Sequence, residues 1–310
     1  MTNNSFLPKK AKVLHNPGAG EGEISKSELL GQIERAGFEC SYSSTKQFRW
    51  ENIDTENIDF LVLAGGDGTV RKIAEELLGQ KKTEKKLPLA LLPFGTANNI
   101  AKTLGLSGSI DEIVRGWRHP SRKDFDVGVI KGLSKPAFFL EGFGYGVFPR
   151  LMKAMAKPDR DIDDPAERLH TALELLYEMV LTSPVKKCQL NIDDMDYSGD
   201  FLLAEVMNIR SIGPNLSLAP DADPGDGEFE VVLISEKQRR HLAEYVRCKI
   251  KGEKVVFDFP LLKAKKLNML WEGRHLHVDD EYHKLDEPCE IKIDLREGLL
   301  EFLLPGEKPD

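Results

Sequence analysis

Residues 59–70 read DFLVLAGGDGTV, and this stretch decides the fold because a short apolar run leads directly into a glycine-rich turn and a helix. The run from Asp59 to Ala64 is continuous rather than alternating, which is typical of a strand buried on both faces of a parallel sheet. From about Val70 to Leu78 the apolar side chains have helical spacing. A strand, a glycine turn and a helix in this order predict an α/β domain that binds its ligand beyond the carboxyl ends of the strands.

The same alternation of strands and helices extends over about the first 125 residues. Further strands are predicted at Lys12–His15, Phe38–Ser43 and Leu87–Leu92, with helices at about 25–36 and 97–104. After Phe125 the runs become short and partly alternating, with Gly, Pro, Asp or Asn turns between them, which indicates antiparallel pairing. We therefore predict a Rossmann-like α/β domain over residues 1–125 and a larger antiparallel β-sandwich domain, with two inserted helices, over 126–296.

Composition narrows the class of protein. The chain has 310 residues, of which 41% are hydrophobic and 30% charged, as in ordinary globular proteins. Its net charge of −8 argues against a nucleic-acid partner. The four cysteines are far apart in the sequence, which indicates free thiols in a reducing compartment. With no apolar run of signal-peptide or membrane-span length, we expect a cytoplasmic protein that meets any lipid at the membrane surface.

The turn Gly65-Gly66-Asp67-Gly68-Thr69 has the chemistry of a phosphate site. Glycines allow backbone N–H groups to approach phosphate oxygens, and the amino end of the following helix favours the same negative charge. The Thr69 hydroxyl adds a donor, and Asp67 can hold a water molecule or a metal ion. A tight strand-to-helix turn in which Asp67 only caps a helix remains the structural alternative.

Two further glycine-bearing loops follow neighbouring predicted strands. PFGTANNIA, residues 93–101, places Gly95 and Thr96 where they can close over a nucleotide, and Asn98 can supply amide hydrogen bonds. Asn16-Pro17-Gly18-Ala19-Gly20 ends the first strand on the same edge. Three such loops predict a nucleotide-binding site, to which we also assign Thr45. Walker, protein-kinase and dinucleotide G-x-G-x-x-G motifs are absent from the sequence.

Two acidic segments stand out in the second half of the chain. Residues 219–229, APDADPGDGEF, form a dense acidic turn that offers the oxygen ligands preferred by magnesium or calcium. A solvated Asp-Gly turn explains the same letters. Residues 278–281, VDDE, lie in a strand-turn context, and neighbouring carboxylates raise one another's pKa, which suits a general base. An exposed acidic hairpin is the alternative.

GGDGT, followed by PFGTANNIA, resembles the diacylglycerol kinase catalytic domain family in its bacterial soluble lipid kinase branch; GGDGT alone is shared with NAD kinases. The resemblance runs from Val13 to Leu304. It implies ATP-dependent transfer of the γ-phosphoryl group to a lipid hydroxyl, with diacylglycerol as the expected substrate and ATP and Mg²⁺ as cofactors. It further implies that the last segment, about 297–310, returns to the first domain.

The resemblance also assigns roles to single residues. Glu281 corresponds to the family's general base, and Asp67 belongs to the catalytic loop. Asp226 corresponds to a ligand of a structural magnesium ion, with the backbone carbonyls of Asp223 and Glu228 nearby.

Two positions depart from the family pattern. Asn99 stands where many members have aspartate, and Asp280 stands where the family has glycine. A soluble-substrate kinase of the NAD kinase type and a binding-only nucleotide or lipid regulator therefore remain alternatives. The expected partner is a lipid at the inner face of the membrane, no nucleic acid is expected, and the sequence leaves a homodimer open.

Overall fold

The computed structural model describes residues 9–19, 24–46, 49, 55–79, 86–135, 137–157, 162 and 164–306. The chain divides into two compact units, one of residues Met1–Phe125 with Leu299–Asp310 and one of Asp126–Gly298. The sequence predicted the same kind of division, near Phe125 and again at about residue 297. In the ranges given above, no helix is both long enough and apolar enough to cross a membrane.

The strands and helices follow one another along the chain. The strands are β1 (Lys10–His15), β2 (Glu39–Ser44), β3 (Phe60–Gly65), β4 (Leu89–Pro93), β5 (Ser121–Lys131), β6 (Ala137–Phe139), β7 (Gly142–Gly146), β8 (Lys186–Ile192), β9 (Met195–Asp196), β10 (Gly199–Met207), β11 (Ser211–Ile212), β12 (Leu216–Ser217), β13 (Phe229–Ser235), β14 (Leu261–Ala264), β15 (Lys266–Trp271), β16 (His275–Val278), β17 (Glu281–Lys284) and β18 (Glu290–Leu304). The helices are α1 (Lys26–Arg35), α2 (Asp67–Leu78), α3 (Asn99–Thr103), α4 (Ile110–Gly116), α5 (Val147–Met155), α6 (Pro165–Thr182) and α7 (Arg239–Ile250).

The first unit is built on a parallel sheet in the order β4-β3-β1-β2. Phe302 and Leu303, near the end of β18, pair in parallel with β4, so the last strand belongs to this sheet. All six residues of β3 are buried, as its continuous apolar run predicts. Because the strands run in one direction, the loops that follow β1, β3 and β4 leave the same edge of the sheet.

The second unit contains a mainly antiparallel sheet. Its strands follow the order β17-β16-β7-β10-β8-β15, and β15 continues to residues 290–294 of β18. β13 pairs with both β10 and β14. Helices α5, α6 and α7 contribute Val147, Leu176 and Val246 to one buried apolar cluster, which also takes in Leu202 and Val232 from the sheet. The helices therefore cover one face of the strands that hold the acidic segments.

Three elements differ from what the sequence predicts. Helix α4 was not expected at all, and α5, which begins directly after the glycine-rich strand β7, is a third helix where two were predicted. The last segment, expected to return to the first domain from about residue 297, is part of one continuous strand, β18, from Glu290 to Leu304. A left-handed Gly298, with φ of 53°, lies inside it, and glycine adopts that conformation without a side-chain clash.

Candidate functional site

The structure brings the three glycine-bearing loops of the first unit together. Strand register places His15 beside Ala64 and Gly65 beside Pro93. The Asn16 N–H donates to the Ala64 carbonyl at 2.9 Å, and the Phe94 N–H donates to the Gly65 carbonyl at 3.1 Å. The first residue beyond each strand is thus tied to the neighbouring strand, so the loops start from one fixed edge.

Gly66 and Gly95 mark the closest approach of two of these loops. A Cβ atom added to Gly66 would lie 2.8 Å from the Gly95 Cα, and one added to Gly95 would lie 2.5 Å from the Gly66 Cα. Real Cβ atoms do not approach backbone carbons so closely, so each glycine is required by the other. The sequence argument explained Gly66 by access for phosphate; the structure adds contact between the loops as a second reason.

Asn98 holds the second loop in shape. Its side-chain Oδ1 accepts from the Gly95 N–H at 2.9 Å, and its Nδ2 donates to the Gly95 carbonyl at 2.5 Å. Asn98 itself is left-handed, with φ of 50°, a conformation that asparagine tolerates better than most residues. In this arrangement the Asn98 amide serves the loop, while its predicted contact with a nucleotide stays a prediction.

Asp67 connects the first glycine loop to the start of helix α3. Its Oδ2 accepts from the Asn99 N–H at 2.8 Å, and its Oδ1 accepts from the Ile100 N–H at 3.0 Å. A carboxylate in this position satisfies N–H groups that have no partner inside the helix. Asp67 is therefore a cap for the next helix along the chain, which combines the two interpretations that the sequence left open. Its catalytic role stays a prediction.

Thr69 packs between the same loops. Its Oγ1 accepts from Asn16 Nδ2 at 3.3 Å, and its side chain is only 6% exposed. A Cβ atom on Gly65 would overlap the Thr69 side chain, so Gly65 leaves the space in which Thr69 packs. Gly68 and Thr96 are exposed. Gly20 of the third loop lies outside the described residues.

Lys72 is a site residue that the sequence argument missed. Its Nζ donates to the Thr45 carbonyl at 2.7 Å, and the Thr45 N–H in turn donates to the His15 carbonyl at 2.9 Å. These bonds place a cation beside the strand ends, where a phosphate group needs positive charge. The lysine follows GGDGT by one helical turn, but spacing alone does not distinguish it from a solvated helix lysine. Burial lowers the pKa of the neighbouring His15, which favours its neutral form.

In the second unit, the acidic turn is organised by a lysine. Lys263 Nζ lies 3.1 Å from Asp226 Oδ2, 3.8 Å from Glu228 Oε2 and 2.8 Å from Glu230 Oε1. The remaining Asp226 oxygen accepts from the Glu228 N–H at 3.0 Å. Asp223 Oδ1 accepts from the Gly225 N–H at 3.0 Å within its own turn.

The side chains of Asp226 and Asp223 at the predicted magnesium site have partners within the protein. Among the described residues, no group of three carboxyl, imidazole or thiol side chains is arranged to hold a metal ion. The Lys263 ammonium lies between the carboxylates of Asp226, Glu228 and Glu230. The metal role of Asp226, Asp223 and Glu228 stays a prediction, and no step of the function below passes through it.

Buried Asp126 also shapes the acidic turn, and the sequence argument missed it. Its two carboxylate oxygens accept from the Gly227 N–H at 2.9 Å and the Gly298 N–H at 2.6 Å. Burial raises the pKa of Asp126, although the two N–H groups oppose the change. Asp126 therefore fixes the backbone next to Asp226.

The acidic hairpin between β16 and β17 separates its three carboxylates. Asp279 is buried, and its side chain accepts from the N–H groups of Leu140, Glu141 and Gly142 at 2.7 to 3.1 Å. Asp280 and Glu281 are exposed. The alternative of an exposed acidic hairpin is therefore wrong for Asp279, because its carboxylate is bound to buried backbone N–H groups.

The substitution of the family's glycine by Asp280 causes no backbone conflict. Asp279, with φ of 51°, is the left-handed residue of this turn, and Asp280 is not left-handed. The turn therefore does not require glycine at position 280, and the exposed Glu281 keeps its place at the start of β17.

A buried pair of side chains, His277 and Glu205, supports this hairpin. His277 Nε2 lies 2.7 Å from Glu205 Oε2, and His277 Nδ1 lies 2.9 Å from the Asp279 carbonyl oxygen. Both side chains are essentially inaccessible. Because the carbonyl can only accept, Nδ1 carries a proton, and a further proton is shared between Nε2 and Glu205. From the sequence, no role was assigned to His277.

Comparison with known proteins agrees with this geometry. The diacylglycerol kinase catalytic domain matches residues 10–130, and the YegS C-terminal NAD kinase beta sandwich-like domain matches residues 161–283. A diacylglycerol kinase of Staphylococcus aureus (strain JH9) is 25% identical over 294 residues, which cover 89% of this chain and 87% of that protein.

Solved structures share the fold. The crystal structure of a diacylglycerol kinase from Bacillus anthracis (strain Sterne) superimposes with a TM-score of 0.69 at 21% identity, covering 97% of this chain and 98% of the other. Yeast NADH kinase, solved with NADH, gives a TM-score of 0.51 at 12% identity over 98% of this chain and 85% of its own. These likenesses confirm the predicted fold class, an α/β domain with a second, larger β-sandwich domain.

The two matching domains account for both halves of the chain, in the order that the sequence motifs predict. The first contains the three glycine-bearing loops, and the second contains the acidic turn and hairpin. Residues 10–130 match the diacylglycerol kinase catalytic domain, and this match, together with the relatives named diacylglycerol kinase, supports a phosphotransferase of the kinase type.

Proposed function

We propose that this chain transfers the γ-phosphoryl group of ATP, supplied with Mg²⁺, to the hydroxyl group of a lipid, and that diacylglycerol is its acceptor. The observation that carries the proposal is the loop arrangement of the first unit. Gly66 and Gly95 bring two loops into contact, and no side chain caps the amino end of α2 at Gly66. Such an edge suits a chain of phosphate groups.

Each described residue has a limited task in this proposal. Asp67 and Asn98 keep the loops in position, and Lys72 supplies positive charge beside them. Glu281 accepts the proton of the acceptor hydroxyl as its oxygen bonds to the γ-phosphorus and ADP leaves. Binding and positioning dominate phosphoryl transfer, so a rigid loop framework is as important as the base.

A lipid acceptor is supported by the relatives rather than by a bound molecule. The Staphylococcus aureus relative is named a diacylglycerol kinase, and its similarity extends over 89% of this chain. A peripheral encounter with the membrane follows from the proposal, since the acceptor is a membrane lipid. The fold likeness to yeast NADH kinase keeps a soluble acceptor as the second candidate.

The test is transfer of label from γ-labelled ATP, with magnesium, to mixed micelles that contain diacylglycerol, monoacylglycerol, phosphatidylglycerol, ceramide or sphingosine. NAD in solution serves as the soluble acceptor. We expect a labelled lipid, with diacylglycerol the best acceptor. Labelled NADP and no labelled lipid would replace the proposal by the NAD kinase type. ATP binding without any labelled product would favour a binding-only protein.

A further inference from the structure

A cationic cavity lies in the second unit, apart from the acidic turn. It has a volume of about 460 Å³ and is bordered by α5 and the residues after it, by the start of β8 and by the turn between β15 and β16. Five of its lining residues are cations: Arg150, Lys153, Lys157, Lys186 and Arg274. Within the described part of the chain, no aspartate or glutamate lines it. Such a concentration of positive charge is unexpected in a chain with a net charge of −8.

Carboxylates of the described residues do not neutralise the five cations. Among residues 9–306 as far as they are described, no ion pair joins any of the five to a carboxylate. Arg274 Nη1 donates to the Asp286 carbonyl oxygen at 3.1 Å, which orients the guanidinium without neutralising it. Like charges around one cavity repel each other, and an anion bound between them removes that repulsion.

His275, on the cavity wall, is affected by the same positive charges. Its pKa is lowered, first by partial burial and then by Lys153, Lys284, Arg274 and Arg150. His275 Nδ1 lies 2.6 Å from the Tyr282 hydroxyl, and the two rings stack. The imidazole is therefore held neutral and in a fixed orientation beside the cations.

Most of the remaining wall is apolar, although Ser183 also lines it. Pro149, Met179, Leu202 and Trp271 line the cavity next to the charged groups. Trp271 is only 3% exposed, and its ring stacks on Tyr145, so this part of the wall is firmly packed. A cavity with a cationic part and an apolar part suits an anion that is attached to an apolar group.

We propose that this cavity binds the phosphate of an anionic phospholipid head group, with Arg150, Lys153, Lys186 and Arg274 as its donors. The anion site stands on the cations alone, whereas the lipid character of the ligand rests on the proposed function. The cavity and Glu281 share the β16–β17 hairpin: His275 lies roughly 10 Å along β16 from Val278, which precedes the turn. A phospholipid held there lies on the same structural element as the proposed base.

Neighbouring lysines on β8 provide a matched control. Lys186 lines the cavity, whereas the adjacent Lys187 is exposed and does not. Successive side chains on a strand point to opposite faces, so the two substitutions remove the same charge from different surfaces. We therefore compare a double variant, Lys186→Gln with Arg274→Gln, with the single control Lys187→Gln. Thermal unfolding of each variant shows whether it is folded.

The experiment measures co-flotation of the full chain with phosphatidylcholine vesicles that contain or lack phosphatidylglycerol. Neither ATP nor diacylglycerol is present and no phosphate transfer is measured, so a chain without kinase activity can still bind the vesicles, and the two proposals fail separately. We expect binding that depends on phosphatidylglycerol, unchanged in Lys187→Gln and weakened roughly tenfold to 30-fold in the double variant, as expected for the loss of two charges near an anionic surface. Inorganic phosphate, compared with chloride at equal ionic strength, should compete with the vesicles.

Equal vesicle binding by the double variant and the control would overturn the assignment of the cavity. Vesicle binding that phosphate and chloride weaken equally would also overturn it, because the attraction would then be to the membrane charge in general. Phosphate that stabilises the wild-type chain against heat, but not the double variant, without any vesicle binding would overturn the lipid source. The site would then serve a free phosphate ester.

Discussion

Replacing His277 by leucine tests how the acidic hairpin is held in place. The change removes the partner of Glu205, whose carboxylate is fully buried and only 2.7 Å from the imidazole. Removing one member of a buried pair leaves an uncompensated charge and costs about 3–5 kcal/mol. For a domain of roughly 150–250 residues this lowers the melting temperature by about 6–20 °C. The Glu205 carboxyl group also packs directly against Gly144, where an added Cβ atom would overlap it.

The pair also predicts a pH dependence with a definite sign. Burial opposes the charged form of His277, but the Glu205 carboxylate outweighs it and raises the His277 pKa above 6.5. Burial raises the Glu205 pKa above 4.5. The folded chain thus holds protons that the unfolded chain releases, so this contribution is fully present below pH 6.5 as far as His277 is concerned. This contribution to the free energy of unfolding decreases as pH rises through the pKa of folded His277. The His277→Leu variant should not show this decrease.

The assay is chemical or thermal unfolding of four chains: wild type, His277→Leu, Glu205→Leu and the double variant. We expect each single variant to be less stable than the wild type. The double variant should lose less stability than the sum of the two single losses. Equal stability of wild type and His277→Leu from pH 6 to 9 would refute the reasoning. Additive losses in the double variant would refute the coupling of the two side chains.

Three further changes test the phosphate loops and the acidic turn. Gly66→Val should lower nucleotide affinity at least tenfold in calorimetry, because its Cβ would lie 2.8 Å from the Gly95 Cα and force the loops apart. Asp67→Ala should destabilise the chain by about 1 kcal/mol, the usual value of a lost helix cap, whereas Asp67→Asn keeps one acceptor and should lose less stability in thermal unfolding. Lys263→Met should cost about 1–2 kcal/mol in the same assay, since Glu230 is left buried without its cation while half of the lysine is already solvated.

Each of these changes has a control. Gly31→Ala adds the same kind of atom to helix α1, where the nearest neighbour is the flexible end of Arg35, and should leave nucleotide affinity unchanged. Full stability of Asp67→Asn with loss of phosphate transfer would show that Asp67 does more than cap α3. Magnesium that restores the stability of Lys263→Met would support the predicted metal role of Asp226, and wild-type affinity in Gly66→Val would contradict the loop assignment.

Much of the first unit can be predicted from its sequence because its signals are local. The continuous apolar run of β3 specifies burial on both faces, and the glycines that follow specify a close backbone approach. The parallel order of the strands then places the loops on one edge. Even α4, which was missed, has a local signal: Ser109 and Glu112 form a capping box.

Features of the second unit were missed because they depend on residues far apart in the sequence. His277 meets Glu205 across a separation of 72 residues, and no spacing rule connects them. Gly144 gave no signal of its own, although the space it leaves is what admits the Glu205 carboxyl group. The acidic turn shows the same limit, since Lys263 lies 37 residues from Asp226. Acidic letters alone do not show whether a metal ion or a lysine balances them.

The central claim is phosphoryl transfer with Glu281 as the base, and one measurement addresses it directly. Label from γ-labelled ATP is followed into extracted diacylglycerol product by the wild type and by Glu281→Gln, with nucleotide affinity measured in parallel. We predict labelled lipid from the wild type and a rate lower by about 10²–10⁴-fold in the variant, at unchanged affinity for ATP. Transfer by Glu281→Gln at the wild-type rate would contradict the assigned base, and absence of label from every acceptor despite ATP binding would contradict the proposed kinase.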